Sequence, residues 1–421
     1  MVYQSPAGAR DLLPLDVAQK RWIEERLQQV FHRWGYHRII TSTLEHLDTL
    51  MAGGAVQRSQ LIQLQSDEGE IGLRPELTAS IARTAVTRMA GALYPQRLYY
   101  NANVFRRASS THHNQQQEFY QAGVELLGAQ SWLADAEILL LLAECMQELS
   151  LNNWCLILGE AGIARSLLST FPANLREQVR YAIAHLDRIT LETLPLSQEL
   201  CDRALMMLDL RGHPADVLQK IASLDLETPQ AEALNRLKSL IALLNECFPV
   251  SSSQSTTSSP IILDLSLIQT FDYYTGIVFK VVSNTTYPAR IIGQGGRYDQ
   301  LLGLYHPQAE TVSGIGFSLN IEDLHQVLLT SQQLPHATPT SNWLVVPETP
   351  QAYTAAFAYA AKLRASQHLV RVEMNLGDSD PDTIREYARH RRIQQIAWIK
   401  SEGLPSIESI TSIKSLLSPS Q

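Results

Sequence analysis

RLYYNANVFRR (97–107) and EFYQAGVELLG (118–128) are the two runs whose reading decides the architecture. Both are rich in aromatic and aliphatic residues of the kind that fit a pleated surface, and the polar stretch RASSTHHNQQQE (107–118) separates them, so they predict long antiparallel strands joined by a loop. A helix over about 132–148 follows them. Upstream, LIQLQ (61–65) and IGLRPE (71–76) flank Gly69 and predict a hairpin, with a helix after it over about 76–89. HRIITSTLE (37–45) reads as one strand. Before it, Val17, Trp22, Ile23, Leu27, Val30, Phe31 and Trp34 recur at helical spacing up to Gly35.

Downstream, about 162–247 is nearly all helical in pattern, and SSSQSTTSSP (251–260) reads as a low-complexity linker. Strand signals return in IILDLSLI (261–268), GIVFKVVS (276–283) and ARIIGQGG (289–296), and GIGFSLNIEDLHQVLL (314–329) passes from strand to helix. Beyond a joint at about 334–341, WLVVP (343–347), LVRVEMN (369–375) and IAWIK (396–400) alternate with helices ending near 365 and spanning about 381–390, which predicts a small α/β domain. The expected organisation is a main domain at 1–330, with a helical insertion at about 162–250 and the linker at 251–260, and a terminal domain at 341–421.

Bulk properties narrow the function. A chain of 421 residues exceeds one compact core. Its net charge of -8, from 42 acidic and 34 basic residues, argues against a surface that neutralises many phosphates, and the basic run REYARHRR (385–392) reads as a solvated helix face. Cys145, Cys155, Cys201 and Cys247 lack the spacing of a zinc site or a disulfide scaffold. His112 and His113 lie side by side in a polar loop without a partner set, so no metal is expected. No apolar run suits a signal peptide or membrane span, and a cytoplasmic protein is expected.

The ordered segments LRPELTASIAR, RLYYNANVFRR, EFYQAGVELLG, FDYYTGIVF, GQGGRYDQLLG and GIGFSLNIEDL resemble the class II and histidine-specific motifs of the histidyl-tRNA synthetases, from GARDLLP at Gly8 onward. The resemblance implies an α+β fold: a class II aminoacyl-tRNA synthetase-like antiparallel sheet flanked by helices, with the helical insertion and a terminal α/β domain similar to the family's anticodon-binding domain. It also places Glu76, Thr78, Arg106, Gln121, Glu125, Tyr273 and Tyr274 at histidine-binding positions. A carboxylate and a tyrosyl hydroxyl can orient an imidazole, while another carboxylate and a hydroxyl can hold an α-amino group. Taken singly, each has a bland reading: Glu76 as a helix-start carboxylate, and Tyr273 and Tyr274 as packing residues of a strand. The glycines of GQGGRYD allow close backbone approach; without a following lysine they do not form a phosphate loop.

The ATP side departs from the family. Ala108 replaces the acidic residue that would hold adenine, the loop after it lacks the expected arginine, Gln269 replaces the arginine ahead of Asp272, Tyr273 and Tyr274, and Asp323 replaces the motif 3 arginine; Ser42 stands in place of a motif 1 proline. Arginine forks hold phosphate oxygens in a way neutral side chains do not. At about 3 kcal/mol for each lost donor, adenylate formation is disabled.

A synthetase-like chain that keeps the amino-acid side and loses the ATP clamp resembles the regulatory subunits of ATP phosphoribosyltransferase. That resemblance implies a homodimer within a hetero-oligomer, a short-form catalytic subunit as partner, histidine as effector, and no cofactor. Two other readings stay open: a divergent active synthetase, which would exchange pyrophosphate into ATP when given histidine, and a tRNA-sensing module, which would bind tRNA in a salt-sensitive way.

Overall fold

The computed structural model describes residues 5–54, 56–65, 67, 69–107, 116–222, 227–248, 260–267, 274–366, 368–377 and 380–410. The chain divides into two compact units, 1–335 and 336–421. In the first, α1 (Pro14–Arg33) leads to β1 (His37–Arg38), β2 (Leu44–His46), α2 (Leu47–Met51), β3 (Gln63–Leu64), β4 (Ile71–Leu73) and α3 (Thr78–Val86). Then come β5 (Gln96–Phe105), β6 (Glu118–Leu127), α4 (Trp132–Glu148) and β7 (Trp154–Glu160). Helices α5 (Ala161–Ser169), α6 (Ala173–Ala184), α7 (Arg188–Thr193), α8 (Gln198–Leu208), α9 (Pro214–Ala222) and α10 (Thr228–Cys247), with β8 (Arg211–Gly212) among them, precede β9 (Ile261–Asp264). The unit closes with β10 (Ile277–Ser283), β11 (Arg290–Arg297), β12 (Gly314–Asn320) and α11 (Ile321–Thr330).

The large sheet runs β1-β5-β6-β12-β11-β10-β7-β9-β8, and its central pairings, β5 through β7, are antiparallel. Alternation along the strands divides the side chains between two faces. On β6, Ala122, Val124 and Leu126 enter the larger core together with Tyr99 of β5, while Leu127 joins Leu98 and Tyr100 in a second cluster beneath Ile81, Ala82 and Ala85 of α3. Glu125 shares the α3 face, so the same alternation that builds the core delivers a carboxylate to the opposite side. Helices of the 161–247 stretch send Leu167, Val179, Met207, Leu237 and Leu244 into the same cluster as Ile23 and Leu27 of α1 and Leu141 of α4.

Three local expectations need correction. The stretch 37–45 is two strands in different sheets: β1 lies parallel to β5, whereas β2 pairs with β4. Between them the carbonyls of Thr41 and Ser42 accept from Arg74 Nη1 at 2.8 and 3.2 Å, so a buried guanidinium replaces a strand partner. The helix expected from 76 starts at Thr78 and ends at Val86. WCLILGE (154–160), which carried no strand expectation, is β7, paired with both β10 and β9. Strands β3 and β4 do pair across a turn in which Gly69 takes φ +116°.

In the second unit, β13 (Trp343–Pro347), α12 (Tyr353–Arg364), β14 (Val372–Met374), α13 (Pro381–His390), β15 (Gln395–Ile399) and β16 (Pro405–Ser409) form a sheet in the order β14-β13-β15-β16. Val345 packs with Ala356 and Ala360 of α12, and its neighbours Leu344 and Val346 pack with Ile384 and Ala388 of α13, so one helix covers each face.

Candidate functional site

Beneath α3, the large sheet carries a partly open pocket lined by Glu76, Leu77, Thr78, Tyr100, Arg106, Gln121, Glu125, Tyr274, Gln294, Gly295, Tyr298, Gly316, Phe317 and Ser318. Of the residues expected at the amino-acid side, Glu76, Thr78, Arg106, Gln121, Glu125 and Tyr274 therefore meet in one pocket. Tyr273, with the substituted positions Ala108 and Gln269, lies outside the described residues, as do His112 and His113. No cluster of His, Cys, Asp or Glu among the described residues could hold a metal.

Glu125 is 1% exposed and held at both ends. Thr78 Oγ1 donates to its Oε1 at 2.7 Å, and the Tyr298 hydroxyl donates to its Oε2. Burial pushes its pKa up to about 8; the two hydroxyls work against that shift and the charge of Glu76 adds to it. Glu76 is also pushed up by burial, opposed by hydrogen bonds and by the charge of Arg106. Its carboxylate accepts from Thr78 N at 2.5 Å and Ala79 N at 2.9 Å, satisfying orphan donors at the start of α3. The bland helix-start role and a place in the pocket wall thus coexist in one residue. Arg106 reaches the same wall, with its Nε on the carbonyl of Pro75 at 3.0 Å.

Glycines make the floor. A Cβ on Gly316 would stand 2.0 Å from Glu125 Oε2 and 2.3 Å from the carbonyl of Val124, and one on Gly295 would stand 2.2 Å from the carbonyl of Gly316. Because Glu125 is already pinned and Val124 offers backbone, neither can give way cheaply. Gly316→Ala is expected to lower stability by about 1–3 kcal/mol, read as a lower denaturation midpoint. An unchanged midpoint would mean that β12 can slide.

Tyr100, Tyr298, Gln294 and Ser318 are pocket residues that sequence reasoning missed. Alternation from Leu98 would have placed Tyr100 on the α3 face, and register would have set Gln294 opposite Ser318. Nothing in GQGGRYD as a string says that the tyrosine returns to Glu125, 173 residues earlier.

The motif 3 acids are occupied elsewhere. Glu322 takes the backbone N–H of Tyr120 with both oxygens at 3.1 Å, and Asp323 pairs with Arg290 at 3.1 Å. Asp323 thus engages a cation of the protein itself at the place where the family's motif 3 arginine would offer one to a phosphate.

The family model for histidyl-tRNA synthetase matches residues 8–324. A curated relative from Nostoc punctiforme, named ATP phosphoribosyltransferase regulatory subunit, is 68% identical over 411 residues, covering 97% of this chain and 100% of the relative. A relative of the same name from Picosynechococcus sp. is 55% identical, again over 97% of this chain and 100% of its own length. Among solved structures, an ATP phosphoribosyltransferase regulatory subunit/histidyl-tRNA synthetase from Bacillus halodurans aligns with a TM-score of 0.77 at 25% identity, covering 95% of this chain and 99% of that one. A histidyl-tRNA synthetase from Nostoc sp. PCC 7120 aligns at 0.76 with 17% identity over 97% of each chain, a likeness of fold alone. With its pocket beneath α3 and its full-length similarity to those subunits, the chain belongs to the family of ATP phosphoribosyltransferase regulatory subunits, built on the histidyl-tRNA synthetase fold.

Proposed function

We propose that this chain is a non-catalytic regulatory subunit of ATP phosphoribosyltransferase, in the first step of histidine biosynthesis, and that it takes histidine as effector in the pocket around Glu125. It acts as a homodimer joined to short-form catalytic subunits in a cytoplasmic hetero-oligomer and needs no cofactor of its own. Residues 1–330 serve as the synthetase-like domain and 341–421 as the anticodon-binding-like domain. No helix among the described residues is long and apolar enough to cross a membrane.

The observation that carries this reading is the unequal fate of the two sides. Glu76, Thr78, Gln121, Glu125 and Tyr274 converge on one cavity, while motif 3 offers an aspartate that has taken Arg290 for itself. Recognition of an amino acid survives such a change, whereas transfer of its carboxylate to a phosphate does not. Feedback then follows from linkage: histidine must prefer one arrangement of the assembly, and about 1–3 kcal/mol of differential affinity covers ordinary allosteric coupling.

Equilibrium dialysis of the lone chain against labelled histidine, run beside a pyrophosphate exchange assay, tests both halves. Saturable binding with no histidine-dependent exchange into ATP is the expected pair of results. Exchange above background would replace the regulatory reading with an active synthetase.

A further inference from the structure

We infer that Tyr298 is a positioning residue for ligand recognition: together with Thr78 it holds Glu125 so that one proton is shared between this carboxyl and the ring of the bound amino acid. The inference rests on the histidine pocket proposed above and adds its regulation by pH. Nothing in the sequence motif alone assigns Tyr298 this task.

The geometry is that of a carboxyl group with no cation of its own. Thr78 from α3 donates to one oxygen and Tyr298, just after β11, donates to the other. Around it stand Glu76 from the segment ahead of α3, Tyr100 from β5, Tyr274 from ahead of β10, and Arg106 beyond β5. Arg106 is the one cationic side chain among the described residues lining the cavity, and its charge acts on Glu76. Two carboxyl groups of the pocket wall therefore have one guanidinium between them, and it acts on Glu76, so the cheaper way to keep the buried Glu125 is to leave a proton on it. Burial holding this group near 8 agrees with that count.

A protonated Glu125 has a hydrogen to give, and the neutral imidazole ring has a nitrogen to receive it. The complex contains one proton for the pair, whichever partner carries it. Below the imidazole's own pKa of about 6.5, free histidine brings a second proton and must shed it to bind. Above about 8, the empty protein has lost its proton and must regain one from solvent. Affinity should be greatest between these limits and fall about tenfold per pH unit on either side. The Tyr298 hydroxyl stabilises the charged carboxylate, so its removal should move the upper limb to higher pH and leave the lower limb, which belongs to the ligand, in place.

The test is calorimetric titration of the full chain with histidine from pH 5 to 9.5 in buffers of differing ionisation heat. Expected are release approaching one proton per histidine at the acid end, alkaline uptake larger by up to one proton than in Glu125→Gln, whose remaining uptake belongs to the ligand's own α-ammonium group, and an upper limb displaced by roughly one pH unit in Tyr298→Phe. Triazolylalanine, whose ring stays neutral over this range, should lack the acid limb. A pH-independent affinity with no proton exchange would overturn the inference, as would a Tyr298→Phe variant weakened equally at every pH. Should that variant fail to fold, the wild-type proton count decides alone. Absence of histidine binding at any pH would remove the proposed effector site as well, which separates the two failures.

Discussion

Arg297→Ala is expected to cost about 3–5 kcal/mol of stability in the first unit. Arg297 closes β11 at 6% exposure and ties the strand to the start of α4. Its Nη2 lies 2.6 Å and its Nε 2.8 Å from Asp135 Oδ1; Nη1 reaches Asp299 and the carbonyl of Ala129, both at 3.1 Å. Truncation leaves Asp135 buried without its counter-ion. Burial already pushes that carboxyl up, and Arg297 is the main group opposing the push, with a smaller share from Arg236. The loss should appear as a lower urea midpoint with little change in slope. Replacing both partners, as in Arg297→Met with Asp135→Leu, should recover much of it, because the penalty comes from the unpaired charge. A single variant as stable as the parent would show that the pair is decorative.

Glu125→Gln is expected to weaken histidine binding by about 10- to 150-fold, the range for a charge-assisted hydrogen bond of roughly 1.5–3 kcal/mol, and to leave assembly with the catalytic partner intact. The amide keeps the shape but loses the transferable proton. The same variant should flatten the pH dependence of stability. Glu125 is raised from about 4.5 to about 8 on folding, so its stabilising contribution is complete below 4.5 and is lost as pH rises through 8. Between pH 5 and 9 the parent's melting temperature should therefore fall further than the variant's, by a few degrees. Parallel melting curves for the two proteins, or undiminished histidine binding, would contradict this account of Glu125.

Much of this architecture was legible in the sequence because the central strands carry their own alternation. Ala122, Val124 and Leu126 had to face one way, and the polar and small residues between them the other; that Glu125 is buried on that second face follows from α3 covering it, which the alternation does not encode. Other features depend on contacts that no local pattern encodes. The run CLIL inside β7 is continuously apolar although Leu156 and Leu158 are buried and Cys155 and Ile157 only partly so, and periodicity cannot separate such a run from a segment of helix. The break within 37–45 depends on Arg74, which lies beyond the next sheet and supplies the donors that a strand partner would have given. In the pocket, Glu125 and Thr78 stood inside recognisable motifs, whereas the return of Tyr298 to Glu125 depends on the sheet order, in which β12 stands between β11 and β6. Glu76 shows a different limit: its type and position fitted both capping and recognition, and the structure has it capping α3 while lining the cavity.

The most direct test of the central claim is to mix the purified chain with a short-form ATP phosphoribosyltransferase catalytic subunit and follow product formation across a range of ratios, with and without histidine. Product formation should rise to saturation at a fixed stoichiometry, and histidine should suppress that stimulated rate. Absence of stimulation at every ratio would contradict a regulatory role, whatever the pocket binds.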